Sequence, residues 1–336
     1  MSTEKPVRLR DFVKFENCYF SVVSYFNNPE VKCLLRYAPA KLVLKNLQKV
    51  EKRGDYVKLS HEQALNFFEE YRRNGIFYLP LDKVKVFKPE ILTPKLVEKD
   101  DTLRKVYSIF KIPPAYKGVT GSRLIGLNRS DSDVDFVVYG KWWKKAREKL
   151  IEGIKNGFLS QPDEECWKKI YNKRRPVLDF DTFVLHEERK FHKAIIDDVY
   201  FDLLYVRDYD RINEYPEFSG IKVGVAEIVG TLKDDSAVFD YPARYPLEDV
   251  KFEYIEYIEC ESSNKKIENK IKKIKNINRI SSMEVLSFTH TYTGQAFAGE
   301  RVRAYGVIEV GSDVKLIVGT RRECDEFIIS ESLVRI

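Results

Sequence analysis

Two aspartates at the start of an apolar run limit the fold of this chain more than any other feature of its sequence. Asp133 and Asp135 lie two residues apart, and the run 136–138 consists of Phe-Val-Val. This pattern predicts a β-strand, on which residues two apart point to the same face. Carboxylate oxygens are ligands that Mg²⁺ prefers, with waters and phosphate oxygens completing its shell. The pair therefore predicts a site for Mg²⁺ (or Mn²⁺).

A turn of small residues precedes the aspartates. Gly121 permits close approach of the backbone, and Ser122 adds a hydroxyl donor to N–H groups at the beginning of a predicted helix. A loop of this kind can hold phosphate oxygens. Neither Gly-Ser nor Asp-x-Asp is informative alone, but the two together, with Gly126 between them and an apolar strand behind, are a rare combination. We therefore predict a loop that binds a nucleoside triphosphate beside the metal site.

This motif resembles the signature of the DNA polymerase beta-like nucleotidyltransferase superfamily, particularly its minimal members. The matching positions are Gly121, Ser122, Arg123, Gly126, Ser132, Asp133 and Asp135. The whole chain also resembles a group of archaeal predicted nucleotidyltransferases of similar length. The resemblance implies a two-metal enzyme that transfers a nucleoside monophosphate from a nucleoside triphosphate to an acceptor hydroxyl and releases pyrophosphate. It also implies that the Gly-Ser-Arg segment contacts the nucleotide.

The superfamily further implies a third carboxylate on a neighbouring strand. The apolar run 199–206 contains one acid, Asp202, and a carboxylate within a buried strand needs a partner such as a shared metal ion. We expect Asp202 to complete the site as both a catalytic residue and a metal ligand. Asp181 is the alternative. The other interpretation of Asp202 is a capped or salt-bridged core acid.

Two cations between the predicted strands are candidates for contacting the phosphates. A leaving pyrophosphate develops negative charge that cationic donors stabilise, and Arg189 and Lys190 are placed to do this. A solvated loop is an equally good interpretation of either residue. His186, close by in the sequence, is expected to pack or to form hydrogen bonds rather than to act as a base, since the metal ions activate the acceptor hydroxyl.

Strand and helix patterns predict an α+β multidomain chain. Residues 1–100 form an N-terminal α+β domain with an aromatic hairpin at 18–37 and, behind a capping box, a helix at 64–73. Residues 101–215 form a central mixed-sheet nucleotidyltransferase domain, and the proline-rich stretch 83–101 is the boundary before it. Residues 216–336 form a C-terminal all-β domain, a barrel or sandwich that resembles small OB-like barrels.

A lysine-rich segment, 264–279, interrupts the C-terminal strands. Three isoleucines recur at helical spacing, which favours a solvated surface helix with one apolar face. The alternative is a patch that follows the phosphates of a nucleic acid. Because OB-like barrels often bind single-stranded nucleic acid, RNA is the predicted acceptor and partner.

Two further functions remain open beside this one. The first is a transferase that acts on a protein or a small molecule. The second is a regulatory module that binds a nucleotide or RNA without turnover, although a pure binder has no need of two convergent carboxylates beside a phosphate loop.

Composition and charge exclude several other classes of protein. The chain has 336 residues, a net charge of +6 and 43% apolar residues, which is enough for several cores and argues against disorder. Its five cysteines include no C-x-x-C pair, which argues against a zinc site or a disulfide framework. No stretch is apolar enough to span a membrane and the start lacks a secretory signal, so a cytoplasmic location is predicted.

Overall fold

The computed structural model describes residues 5–43, 51–258, 264–274, 278–320 and 325–334. Three sheets accompanied by helices confirm the mixed α+β class. Backbone contacts divide the chain into two compact units. The first contains Met1–Gln161 and His192–Tyr215, and the second contains Pro162–Phe191 and Pro216–Ile336. The three domains predicted at 1–100, 101–215 and 216–336 stay a prediction.

Short antiparallel strands form the first sheet of the first unit. They are β1 (Phe12–Phe15), β2 (Cys18–Val22), β3 (Glu30–Pro39), β4 (Glu51–Arg53), β5 (Tyr56–Lys58), β6 (Arg72–Arg73), β7 (Ile76–Pro80) and β8 (Lys85–Phe87). The order is β4-β5-β3-β2-β1-β8, while β7 pairs with β3 and with β6. The helical turn α1 (Ala40–Val43) follows β3. The predicted hairpin is present, since β2 pairs antiparallel with β3.

The helix predicted for residues 64–73 is wrong. Its capping box exists, because the Ser60 hydroxyl accepts from the Gln63 amide and the Gln63 side chain accepts from the Ser60 amide. Helix α2, however, covers only His61–Ala64. Phe68 then takes a φ of 51° and packs its ring against the sheet core. Burial of aromatic side chains in that core outweighs the local helical pattern.

The second sheet of the first unit has four strands. They are β9 (Lys117–Val119), β10 (Val134–Tyr139), β11 (Lys193–Ile196) and β12 (Val199–Val206). The order is β11-β12-β10-β9. The β10–β12 pair is parallel and the other two pairs are antiparallel, so the sheet is mixed as predicted. Four further helices lie in the described part of the same unit: α3 (Pro89–Val97), α4 (Asp101–Ile109), α5 (Gly121–Leu124) and α6 (Trp142–Lys155).

The stretch 83–101, predicted as an irregular boundary, contains β8 and the whole of α3. Pro89 lies in the first turn of α3, where a missing N–H leaves no hydrogen bond unmade. Pro94 lies inside the same helix. The Val119 amide donates to the Thr93 hydroxyl at 2.8 Å, which connects α3 to β9. The first proline therefore begins a helix here rather than ending one.

The second unit has three helices and a six-stranded sheet. Its elements are α7 (Glu164–Arg174), α8 (Phe180–Lys190), β13 (Ile221–Leu232), β14 (Ala243–Tyr257), α9 (Lys265–Ile274), β15 (Arg279–Ser287), β16 (Arg301–Val310), β17 (Val314–Val318) and β18 (Phe327–Ser330). Because β13 pairs with both β14 and β16, five strands close a ring in the order β13-β14-β15-β17-β16, and β18 pairs with β16. The sequence pattern also predicts a strand at 250–260, and its last residue, Cys260, lies outside the described residues.

Helix α9 is the lysine-rich segment. Ile271 and Ile274 are buried in the core of the second unit, whereas Lys265 and Lys266 are exposed. This confirms the predicted surface helix with one apolar face. Lys275, which the prediction included, lies outside the described residues.

Candidate functional site

Three carboxylates lie together where β10 begins. Asp133 directly precedes this strand, Asp135 is its second residue, and Asp202 lies on β12. The two strands are parallel and pair Asp135 with Asp202 in register. One carboxylate oxygen from each of the three residues lies within 4.8 Å of those from the other two. The fold therefore brings an acid that is distant in the sequence onto the predicted pair.

Asp202 is held in place by its neighbours on the same sheet. Its Oδ1 accepts a hydrogen bond from the Tyr200 hydroxyl at 2.9 Å and lies 3.2 Å from the Lys193 ammonium. Lys193 is the residue opposite Asp202 in the β11–β12 ladder. The alternative candidate, Asp181, is an exposed residue in the first turn of α8 in the second unit. Of the two candidates, only Asp202 lies in the carboxylate cluster.

The Gly-Ser turn directly faces the cluster. Gly121 has a φ of +71°, and a Cβ placed on it would lie 2.5 Å from Asp135 Oδ2. Both facts require glycine, since a side chain would be strained and would collide with the carboxylate. The preceding Thr120 amide donates to the Asp135 carbonyl at 2.8 Å. Gly121 is the first residue of α5 and Ser122 the second, so the turn predicted to bind phosphate lies beside the predicted acids.

Arg123 is occupied by protein contacts. Its side chain is 3% exposed and pairs with Asp100 at 2.6 Å. It also donates to the Ser132 carbonyl at 2.6 Å and to the Asp133 carbonyl at 3.2 Å. The guanidinium therefore holds the segment that leads into β10. Its predicted contact with a nucleotide stays a prediction.

Arg189 and Lys190 lie in the last turn of α8, in the second unit. Arg189 is paired with Glu300 at 2.6 Å. Lys190 is fully buried, forms an ion pair with Glu187 and donates to the Thr291 carbonyl at 3.1 Å. A phosphate would have to displace these partners, so a binding role for either residue is a prediction that the described contacts do not favour.

Sequence reasoning missed two residues of the N-terminal sheet that contact the motif. Tyr37, on β3, is buried and forms a hydrogen bond with the Ser122 hydroxyl, and burial raises the pKa of the Tyr37 phenol. Arg53, at the end of β4, donates to the Ser132 hydroxyl at 3.0 Å. No motif spacing connects these residues to positions so far along the chain. Only the pairing of β3, β4 and β5 next to the motif reveals them.

The cluster offers the chemistry of a site for hard cations. Its donors are carboxylate oxygens, which suit Mg²⁺ and Mn²⁺ better than softer metals. Three acids at this separation repel one another, and a bound divalent ion relieves that repulsion. The turn at Gly121 and Ser122 lies beside them. Three carboxylates next to such a turn are an arrangement that could hold a divalent cation together with phosphate oxygens.

Comparison with known proteins gives two matches. The family model described as "Nucleotidyltransferase domain" matches residues 99–286, which is more than half of the 336 residues. An uncharacterized protein of the archaeon Methanocaldococcus jannaschii is 32% identical, covering 94% of this chain and 96% of the relative. No solved structure matches the chain. Within the described ranges, no helix is both long and apolar enough to cross a membrane.

Proposed function

Because the chain belongs to the nucleotidyltransferase domain family of the DNA polymerase beta-like superfamily, we propose that it transfers a nucleoside monophosphate from a nucleoside triphosphate to an acceptor hydroxyl. The acceptor oxygen forms a bond to the α-phosphorus, and the bond from this phosphorus to the bridging oxygen breaks. Pyrophosphate leaves, and the hydroxyl proton passes to water. The observation that carries the proposal is the cluster of Asp133, Asp135 and Asp202 beside the Gly121 turn.

The residues of the cluster have distinct tasks in this reaction. Asp133, Asp135 and Asp202 hold one or two Mg²⁺ (or Mn²⁺) ions through their oxygens. When bound, these ions neutralise phosphate charge and make the acceptor hydroxyl easier to deprotonate. Gly121 leaves space next to Asp135, and Ser122 supplies a hydroxyl and an amide toward phosphate oxygens. Most of the rate enhancement then comes from positioning and charge neutralisation.

RNA is the acceptor that we propose. The closed ring of five strands in the second unit supports an OB-like barrel, a fold that often binds single-stranded nucleic acid. Helix α9 adds exposed lysines, Lys265, Lys266 and Lys272, to the same unit, and lysines on one exposed helix face suit contacts with phosphates.

The test is to incubate the protein with α-labelled nucleoside triphosphates, Mg²⁺ or Mn²⁺ and total RNA, and to identify the labelled product. We expect labelled RNA and released pyrophosphate, and we expect Asp133→Asn and Asp135→Asn to abolish both while the thermal unfolding temperature is retained. Activity retained in either variant would remove the assignment. A steep loss of RNA affinity with added salt would support phosphate contacts.

Two other outcomes would redirect the proposal. If label appears on a protein or a small molecule and none on RNA, the proposed acceptor is wrong and the proposed transfer reaction stands. If calorimetry shows triphosphate binding but no acceptor pool leads to release of pyrophosphate, the protein is a regulatory binding module rather than an enzyme.

A further inference from the structure

Two arginines of the N-terminal sheet region lie next to the two halves of the motif. The Arg53 guanidinium donates from Nη1 to the hydroxyl of Ser132, the residue before Asp133. The carbonyl of Arg10 accepts a hydrogen bond of 2.6 Å from the hydroxyl of Thr120, the residue before Gly121. The side chain of Arg53 therefore lies beside the acids, and the main chain of Arg10 lies beside the glycine turn.

Within the described part of the chain, each of the two arginines has one buried N–H group whose hydrogen bond is unmade. The Nε atoms of Arg10 and Arg53 are buried, and neither has a hydrogen-bond partner among the described residues. The side chain of Arg53 is only 9% exposed. A buried N–H group without a partner is costly, and a ligand oxygen that accepts from it removes the cost. Both atoms belong to residues that contact the motif, so each is a candidate donor for a ligand oxygen.

The charge around Arg53 also favours an anion. Arg53 and Lys58 share one carboxylate, that of Glu51, and the distance from Lys58 Nζ to Glu51 Oε2 is 3.7 Å. The Arg53 guanidinium and the Lys58 ammonium therefore lie close together at this edge of the sheet, and a polyphosphate beside three carboxylates needs cations nearby.

The cations that the motif itself suggested are already in use. Arg123 donates hydrogen bonds to Asp100 and to two carbonyls, and Lys190 is buried against Glu187. A triphosphate carries several negative charges, and cationic donors in addition to metal ions stabilise it. Within the described part of the first unit, Arg53 and Arg10 are the arginines that combine proximity to the motif with a buried unsatisfied Nε.

We propose that Arg53, together with Arg10, binds the polyphosphate chain of the nucleotide, so that the N-terminal sheet forms part of the nucleotide site. The Arg53 guanidinium suits this task because its Nε–Nη2 edge is a planar fork that can bind two phosphate oxygens at once, with a phosphate taking the place of Glu51 at Nη2. The inference rests on the proposed function, and it selects a triphosphate over a monophosphate as the ligand. It also gives the N-terminal region, for which the motif offers no role, a part in substrate binding.

The experiment compares binding of two kinds of probe by titration calorimetry in Mg²⁺. The first probes are the α,β-methylene analogues of the four ribonucleoside triphosphates, and the second are the corresponding monophosphates. We expect Arg53→Gln and Arg10→Gln each to weaken triphosphate binding by roughly tenfold or more, the size of one charge-assisted hydrogen bond. Monophosphate binding should change less than about twofold, because no β- or γ-phosphate is present.

Matched variants separate this role from a structural one. Arg73→Gln removes an exposed arginine of the same sheet that pairs with Glu30, and it should leave both affinities unchanged. Arg53→Lys keeps the charge without the fork and should fall between wild type and Arg53→Gln. Mn²⁺ binding without nucleotide, measured by electron paramagnetic resonance, should be the same in all variants. If Arg53→Gln fails to fold, Arg10→Gln and Arg53→Lys carry the comparison.

The outcomes distinguish this inference from the proposed function. Wild-type affinity for the triphosphates in both glutamine variants would overturn the inference and leave the enzyme assignment standing. An equal loss for triphosphates and monophosphates would also overturn it, since that result indicates a structural defect. If the wild-type protein binds no nucleotide at all while it binds Mn²⁺, the proposed function fails and the inference fails with it.

Discussion

Asp135 and Asp202 lie directly opposite each other on parallel strands, and this register is what turns a two-acid motif into a three-acid cluster. A one-residue slip of β12 against β10 would turn the Asp202 side chain to the other face of the sheet. The ion pair with Lys193 and the hydrogen bond from Tyr200 hold Asp202 on the correct face. The site therefore depends on strand pairing as much as on the motif.

The first prediction concerns the third carboxylate. Asp202→Asn should weaken Mn²⁺ binding by at least about tenfold and lower nucleotidyl transfer at least as strongly, because one charged ligand is lost. Asp181→Asn, at the exposed alternative position, should leave both unchanged. Mn²⁺ titration followed by electron paramagnetic resonance checks the binding, and circular dichroism checks the fold. Unchanged Mn²⁺ affinity in a folded Asp202→Asn protein would exclude Asp202 as a ligand.

The second prediction separates two glycines with nearly the same backbone angle. Gly121 and Gly126 have φ values of +71° and +70°, so alanine at either should cost about 1 kcal/mol through backbone strain. Only at Gly121 would the new Cβ meet Asp135 Oδ2, at 2.5 Å, whereas nothing lies within 4 Å at Gly126. Gly121→Ala should therefore also lower transfer by at least about tenfold through displacement of the carboxylate.

Chemical denaturation and a transfer assay on the two alanine variants give the comparison. Equal activity in Gly121→Ala and Gly126→Ala would show that the close approach to Asp135 has no part in the reaction.

Local features of this chain could be predicted and non-local ones could not. Gly121, Asp133 and Asp135 lie in one short segment, so their chemistry is readable from spacing alone. The strands of the second unit could likewise be predicted, because they are rich in Val, Ile, Tyr and Phe. The helix at 64–73 failed because its aromatic face is buried by other strands, which no local pattern records.

Charge in particular misleads when partners are distant in the sequence. From the sequence, Arg189 is a candidate for phosphate binding, but in the fold it forms an ion pair with Glu300. Conversely, nothing in the sequence around Arg53 suggests a role until the sheet brings it to Ser132. The identity of a side chain is readable from the sequence, but whether its charge is already compensated depends on the fold.

The third prediction concerns a buried acid of the first unit. Asp11 accepts from the Arg8 amide at 3.1 Å and pairs with Lys88 at 3.2 Å. Burial, only partly opposed by Lys88, raises the pKa of Asp11 from 3.8 to about 7. The folded state then holds this proton more tightly than the unfolded chain does. The free energy of unfolding should therefore fall as the pH rises from about 4 to about 7.

Asp11→Asn should flatten this decline, because asparagine keeps an acceptor oxygen and cannot ionise. Relative to wild type, the variant should gain on the order of 3 kcal/mol between those two pH values. Urea unfolding followed by circular dichroism across this range measures the difference. Parallel curves for the two proteins would show that the pKa of Asp11 is the same in the folded and unfolded states, so that burial does not raise it.

The fourth prediction runs in the opposite direction and concerns the second unit. His186 is buried, its Nδ1 donates to the Thr182 carbonyl at 2.8 Å, and its Nε2 accepts from the Ser330 amide at 3.0 Å. This confirms the predicted hydrogen-bonding role. Burial lowers the pKa of His186 from 6.5 to about 4. Between these pH values the unfolded chain binds a proton at His186 and the folded state does not. Stability should therefore be lost as the pH falls from 6.5 toward 4.

The loss in the free energy of unfolding that is due to His186 should reach on the order of 2 kcal/mol by about pH 4.5. His186→Gln lacks the titrating ring, so its free energy of unfolding should change less with pH than that of wild type, even though the repacking lowers its absolute value. Protonation of His186 would also remove the acceptor for the Ser330 amide. The pairing of β18, which ends at Ser330, should therefore weaken over the same pH range as the protein loses stability. A His186→Gln protein with the full wild-type acid dependence would show that other groups cause the loss.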